Sequence, residues 1–396
     1  MRVVARHTHT RTHTQTRTRP YVAPCFMPRD SCGATSQSSK RRSFRLKLLA
    51  FTALVVAVFF KEFIFSITSG GDYLNGGGHV FAAEIIGDEL RLKSQLRYDY
   101  FGQHCGAPST IVTAYFKLGN RSKYDDETYA NWHANFFTLN DAMVIFTDTH
   151  SIRQLLKYRR RVSGCTVFVI QSLSHSTRTA RLGAWAEQSK LDPEVDIHSP
   201  ELYIIWNEKS EWLALAAKLN VFNSSHLFWA DSGQFRSQDM VTRATTCEKL
   251  WIGDVSSFIP RGKIVLLSIE HFEPHEMVLN SQGKSIMFDS LVVRIGGGNF
   301  GGDVDAITTW QKAYYNKLRE YLDAGVFAGK DQPIMASVCL EIAHMCYIVD
   351  GQEIRESEDI WFALQPVLGG KVREIATYDL TSPTSELKTP NDDGVL

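Results

Sequence analysis

The chain has no net charge, no Cys-x-x-Cys pair and no unbroken apolar run long enough to span a bilayer, and each absence narrows its class. Seven cysteines at irregular spacings do not make a disulfide scaffold or a zinc ribbon. Two of them, Cys25 and Cys32, precede the first apolar run. The five that follow (Cys105, Cys165, Cys247, Cys339 and Cys346) allow at most two internal bridges, whose pairing the spacing does not reveal. No Gly-x-Ser-x-Gly elbow appears, so the main signature of a serine hydrolase is missing. Paired catalytic carboxylates stay open on sequence alone. The glycine-rich stretch Gly296 to Gly302 lacks the Lys-Ser/Thr that completes a phosphate loop.

The zero net charge hides a split. Residues 1–47 hold eleven Lys and Arg against one Asp, a charge of +10, which leaves −10 for the remainder. An acidic folded part behind a basic tail argues against nucleic acid as a partner. Residues 1–20 are a tract of Arg, His and Thr without an apolar face, and 1–47 reads as a disordered basic cytoplasmic tail. Leu48 to Phe60 is apolar except for Thr52, and Phe63 to Ile67 continues past Lys61 and Glu62. Basic residues before this segment predict a signal anchor over 48–67 with the amino end in the cytoplasm, a cleaved signal peptide being the alternative. The glycine-rich segment after it predicts a stem over 68–104. Such a topology makes the protein single-pass type II, with its domain in the lumen of the Golgi or endoplasmic reticulum. Two sequons, at Asn120 and Asn223, agree with that.

From residue 105 to about 380 the composition, 44% hydrophobic and 22% charged over the whole chain, supports one large domain or two fused halves. Strand and helix patterns alternate. Thr110 to Phe116, Met143 to Phe146, Thr166 to Gln171 and His226 to Ala230 read as buried strands. Helices are predicted over 125–140, from Ser151, over 177–190 and over 201–219. This order implies parallel pairing with right-handed crossovers, a doubly wound nucleotide-binding half. Strands at 263–269 and 291–295 follow without a long helix between them, which predicts a mixed-sheet second half. A helix over 303–324 and another opened by Asp331 as cap complete the domain, and 381–396 reads as a loose tail.

Asp231 falls at the carboxyl end of the fourth strand, where open α/β sheets bind ligands. A turn-capping role is the plainer alternative. Asp148 ends the second strand and could accept hydrogen bonds from a ribose or cap the next helix. Tyr115 and Arg121 flank the first strand–helix turn, where an aromatic ring could stack on a base and an arginine pair with phosphate. Asp331 is a helix cap or a base facing an acceptor. His271 to Glu276 reads as a loop because Pro274 breaks a helical metal face, and His344 as a core histidine.

Several of these stretches together resemble the HtrL/YibB family: Thr110 to Arg121, Ile205-Trp206-Asn207-Glu208-Lys209, Phe222 to Ser225, Trp229 to Arg236 and the glycine-rich loop. The family's layout is similar to that of GT-A glycosyltransferases. The resemblance implies a GT-A-like α/β fold and transfer of a sugar from a nucleotide-sugar donor to a glycan or glycoprotein acceptor. It implies donor contacts from Thr113, Tyr115, Arg121 and Asp148, and a sugar or acceptor loop at Gly297, Gly298, Asn299, Phe300 and Gly301. It also implies Asp331 as the catalytic group and Asp231 as ligand to a divalent cation, Mn2+ or Mg2+. The Asp-x-Asp of that fold is incomplete here, because Trp229 stands in the earlier place. A non-catalytic glycan- or partner-binding protein on the same scaffold is the alternative.

Overall fold

A computed structural model of the protein describes residues 80–86, 89–92, 105–118, 124–173 and 177–380. The expected tail, the anchor, the C-terminal tail, Asn120 and Arg121 lie outside the described residues. Among the described residues no helix is long and apolar enough to cross a membrane.

Among the described residues, ten strands form one mixed sheet in the order β10-β9-β7-β8-β6-β3-β4-β5-β1-β2. They are β1 (Val80–Ile86), β2 (Glu89–Leu92), β3 (Ser109–Tyr115), β4 (Ala142–Thr147) and β5 (Thr166–Ile170), then β6 (His226–Ala230), β7 (Ile264–Ser268), β8 (Ile295–Asp303), β9 (Cys346–Asp350) and β10 (Thr377–Tyr378). β3 pairs in parallel with β4 on one side and β6 on the other, and β5 extends the parallel set to β1. β8 runs antiparallel between β6 and β7, and β7 pairs in parallel with β9. The expected parallel and mixed halves are therefore one continuous sheet. The segment read as stem is corrected in part, since β1 and β2 lie within it and close the sheet edge beside β5.

Helices cover both faces. One core layer packs under α4 (Pro200–Leu219), α6 (Val304–Asp323) and α7 (Asp331–Glu341). The other packs under α1 (Asp126–Phe136), α2 (Ile152–Arg159), α5 (Gln238–Ala244) and α8 (Leu364–Leu368). The apolar runs of β3 to β6 carry no polar alternation because both of their faces are covered. The helix expected over 177–190 is broken into short turns around α3 (Trp185–Gln188), where Gly183 takes a left-handed φ of 69°.

The glycine-rich stretch is not a loop but the central strand β8, which begins at Ile295 where the expected strand was to end. Its glycines answer to close neighbours. A Cβ on Gly301 would lie 2.1 Å from the Leu227 carbonyl oxygen, and one on Gly302 would lie 2.2 Å from that of Lys263. His344 is likewise not in the core: it is exposed, in a short turn after α7.

Cys105 and Cys165 form a disulfide with a Cα separation of 5.7 Å. It ties the chain just before β3 to the chain just before β5, across the start of β4. Cys247, Cys339 and Cys346 are free. Closing a loop of 60 residues removes denatured-state entropy equivalent to about 4 kcal/mol. The double change Cys105→Ser, Cys165→Ser is accordingly expected to lower Tm by roughly 10 °C in a calorimetric scan; an unchanged Tm would mean that the bridge does not constrain the unfolded chain.

Candidate functional site

The strand order places a topological switch between β3 and β6. From β3 the chain builds outward through β4 and β5, then returns to set β6 on the opposite flank of β3. Such a switch opens a crevice outside the strands' carboxyl ends. Asp231 immediately follows β6 at this place, and its backbone N–H donates to the Gly298 carbonyl oxygen of β8 at 2.9 Å.

Lys209 meets Asp231 there. It stands mid-way along α4 with a side chain 4% exposed, and its ammonium lies 3.1 Å from Asp231 Oδ1 and 2.9 Å from Asp331 Oδ2. It also donates to the Gly297 carbonyl oxygen at 2.9 Å. The Asp331 contact is an ion pair, and among the described residues Asp331 Oδ2 has no well-aligned hydrogen-bond donor. Burial pushes the Lys209 ammonium toward deprotonation, but the charges of Asp231 and Asp331 outweigh it and hold its pKa above the ordinary lysine value. Burial and the nearby Asp331 charge raise the Asp231 carboxyl, against the pull of Lys209.

Each neighbour of this triad is fixed. Asp331 is the first residue of α7 rather than its cap: Lys330 holds the cap position, and no side chain caps the helix. The Asp331 carboxylate turns to Lys209 and to β8. Gly297 leaves room for it, because a Cβ there would lie 2.5 Å from Asp331 Oδ2. The turn before Asp331 is held by Asn207, whose Nδ2 donates to the carbonyl oxygens of Ala328 and Gly329, each at 3.0 Å. Glu208 accepts the backbone N–H groups of Arg178 and Thr179, and burial raises its pKa to about 7. Trp229, in the place of the missing acid, is 1% exposed, and its Nε1 donates to Asp231 Oδ1 at 2.8 Å.

The other expected site residues have partners of their own. Asp148 accepts the N–H groups of His150 and Ser151, the turn-capping geometry, while Ser151 bonds the Lys117 N–H and caps nothing. Tyr115 ends β3 edge-on to His133, ring centroids 4.3 Å apart, and burial chiefly raises its pKa to about 12. Asn299 pairs in register with Ala230, which belongs to the core layer under α1 and α5. It therefore faces away from Lys209. Thr113 is buried within β3, and Phe300 packs in the core layer of Trp229. Asn223 is exposed at a left-handed φ of 52°, a geometry open to glycosylation. His271 is a loop residue paired through Nε2 with buried Asp350 at 2.7 Å. Among the described residues, no group of three or more His, Cys, Asp or Glu side chains could hold a metal.

Lys209 is the functional candidate that sequence reasoning missed. The available signal was Asn207-Glu208-Lys209, three polar residues within a helix whose other positions are largely apolar. Each is at most 3% exposed, and each bonds a different segment of the chain.

An α/β protein with a carboxylate–lysine cluster at the switch point of a mixed sheet is thus the class that fold and site define. Residues 107–353 match the family described as "Bacterial protein of unknown function (HtrL_YibB)". The chain belongs to that family. No curated protein matches it.

Proposed function

We propose that the protein is a membrane-anchored, GT-A-like glycosyltransferase that moves a sugar from a nucleotide-sugar donor to a glycan or glycoprotein acceptor. The observation that carries the reading is Asp231, at the switch point, with its carboxylate fixed on one side and 42% exposed on the other. Trp229 donates to Oδ1 and Lys209 to Oδ2 at 3.4 Å, and the exposed part of the carboxylate remains as an acceptor for a donor-sugar hydroxyl. Lys209 offsets one of the two carboxylate charges, so an anionic donor meets a cluster of net −1 rather than −2. Asp331 is 4% exposed; its part in this arrangement is to hold Lys209. The disulfide and the exposed Asn223 sequon support an oxidising, extracytoplasmic setting for the domain, with residues 48–67 as the anchor.

Asp231→Asn keeps the shape and removes the charge. It is expected to reduce release of nucleoside diphosphate from a panel of nucleotide sugars by about 10²-fold or more, with Tm little changed. Equal turnover by the variant would remove Asp231 from the reaction. The second reading, a non-catalytic glycan- or partner-binding protein, draws on Trp229 in place of an acid. Glycan binding by a folded protein that no nucleoside diphosphate stabilises would favour it.

A further inference from the structure

A divalent cation is what the transferase reading would place between two carboxylates at this position, and the residues present do not fit one. Mn2+ or Mg2+ bridging Asp231 and Asp331 would have to sit where the Lys209 ammonium sits, in contact with both carboxylates and with the Gly297 carbonyl oxygen. That ammonium is enclosed, its side chain 4% exposed, and it fills the space between the two carboxylates. A metal beside it would meet a fixed positive charge a few ångströms away in a low-dielectric site. The donor set is also short. Asp331 is enclosed behind Lys209, and both oxygens of Asp231 already accept a donor, Oδ1 from Trp229 and Oδ2 from Lys209 at 3.4 Å. Small divalent cations need about six oxygen ligands, and one part-exposed carboxylate whose oxygens already take donors does not hold them without help.

We infer that Lys209 is the resident cation of this site, a covalently attached replacement for a divalent metal shared by Asp231 and Asp331. The cluster is therefore complete without metal. Three features build it in: the position of Lys209 on α4, the glycine at 297 that lets Asp331 approach, and the indole at 229 that fills the place of a second acid. The inference deepens the transferase reading, on which it depends only for the further expectation that nucleoside-diphosphate binding is unchanged by a chelator.

The sharpest consequence is that shortening Lys209 should create a metal site. Lys209→Ala leaves two carboxylates and a carbonyl oxygen around the place of the ammonium, at the end of the space the lost side chain occupied. Mn2+ binding to the full-length protein, followed by the paramagnetic resonance of free Mn2+, is compared in wild type, Lys209→Ala and Lys209→Ala/Asp331→Asn. The wild type is expected to take up no stoichiometric Mn2+ at millimolar concentration. Lys209→Ala is expected to bind one equivalent at least about 10-fold more tightly than the double variant and to gain about 5 °C in Tm with the metal. A wild-type protein that binds one Mn2+, lost in Asp231→Asn, would overturn the inference; so would a folded Lys209→Ala that binds none. If Lys209→Ala does not fold, the wild-type titration with its Asp231→Asn control still decides. None of these readings involves nucleotide or sugar transfer, so a failed transferase assay leaves them intact.

Discussion

Replacing Lys209 with methionine is expected to cost about 3–5 kcal/mol of folding stability, the usual penalty for removing one partner of a buried ion pair. Methionine fills most of the volume, so little of the loss comes from a cavity. What remains is electrostatic: Asp231 and Asp331 are left facing each other with no cation between them. The sign of the pH dependence follows from this. Asp231 already has a raised carboxyl pKa from burial and from the Asp331 charge, and without Lys209, which pulls it down, its carboxyl must hold a proton more tightly still. A carboxyl whose pKa is higher in the folded than in the unfolded state stabilises the fold as pH falls. The deficit of Lys209→Met is thus largest at neutral and alkaline pH and shrinks as pH drops through the raised carboxyl pKa. Denaturant midpoints measured across pH, for wild type and variant, test both size and sign. Adding Asp331→Leu should recover much of the loss, because an apolar pair in place of a buried ion pair is often neutral. Additive losses in the double variant would mean that Lys209 and Asp331 do not act on each other.

The second large effect is expected at Gly301. Alanine there would put a Cβ 2.1 Å from the Leu227 carbonyl oxygen and 2.6 Å from Phe228 Cα, both main-chain atoms of β6. Neither can swing aside as a side chain would, so β8 must move away from β6 and lose ladder hydrogen bonds. A penalty above about 4 kcal/mol is expected, at the far end of what single substitutions do, and it should show as loss of soluble protein or a collapsed denaturant midpoint. Gly298 is the control in the same strand. A Cβ there would stand 3.7 Å from Asp231 Oδ2, ordinary contact distance, and Gly298→Ala should fold as well as wild type. Equal tolerance at the two positions would mean that β8 is not held between β6 and β7 as described.

These expectations draw on different depths of sequence information. The strands β3 to β6 and the helices α4 and α6 were legible because their apolar residues recur with a period that only one kind of element satisfies. Asp231 was legible as a strand-terminal acid for the same reason, since an abrupt stop in an apolar run is a local signal. Gly296 to Gly302 was misread because glycine lacks a side chain and so carries no periodicity, and its need is set by atoms of Leu227 and Lys263 that are distant in sequence. Asp331 looked like a helix cap because an acid before a first-turn proline has that local pattern; the charge of Lys209, 122 positions earlier by number, takes it elsewhere. Similarly, the buried partners of Asn207 and Glu208 lie on other segments.

What the sequence by itself determined is the class of fold, the family and the strand end that carries Asp231, because these rest on periodicities and motifs within a few residues of one another. What only the tertiary structure decided is the strand order that makes β3 and β6 a switch point, the disulfide partner of Cys105, and the meeting of Lys209, Asp231 and Asp331. Those depend on which elements lie side by side, and charge–charge contact across a folded core leaves no period in the chain.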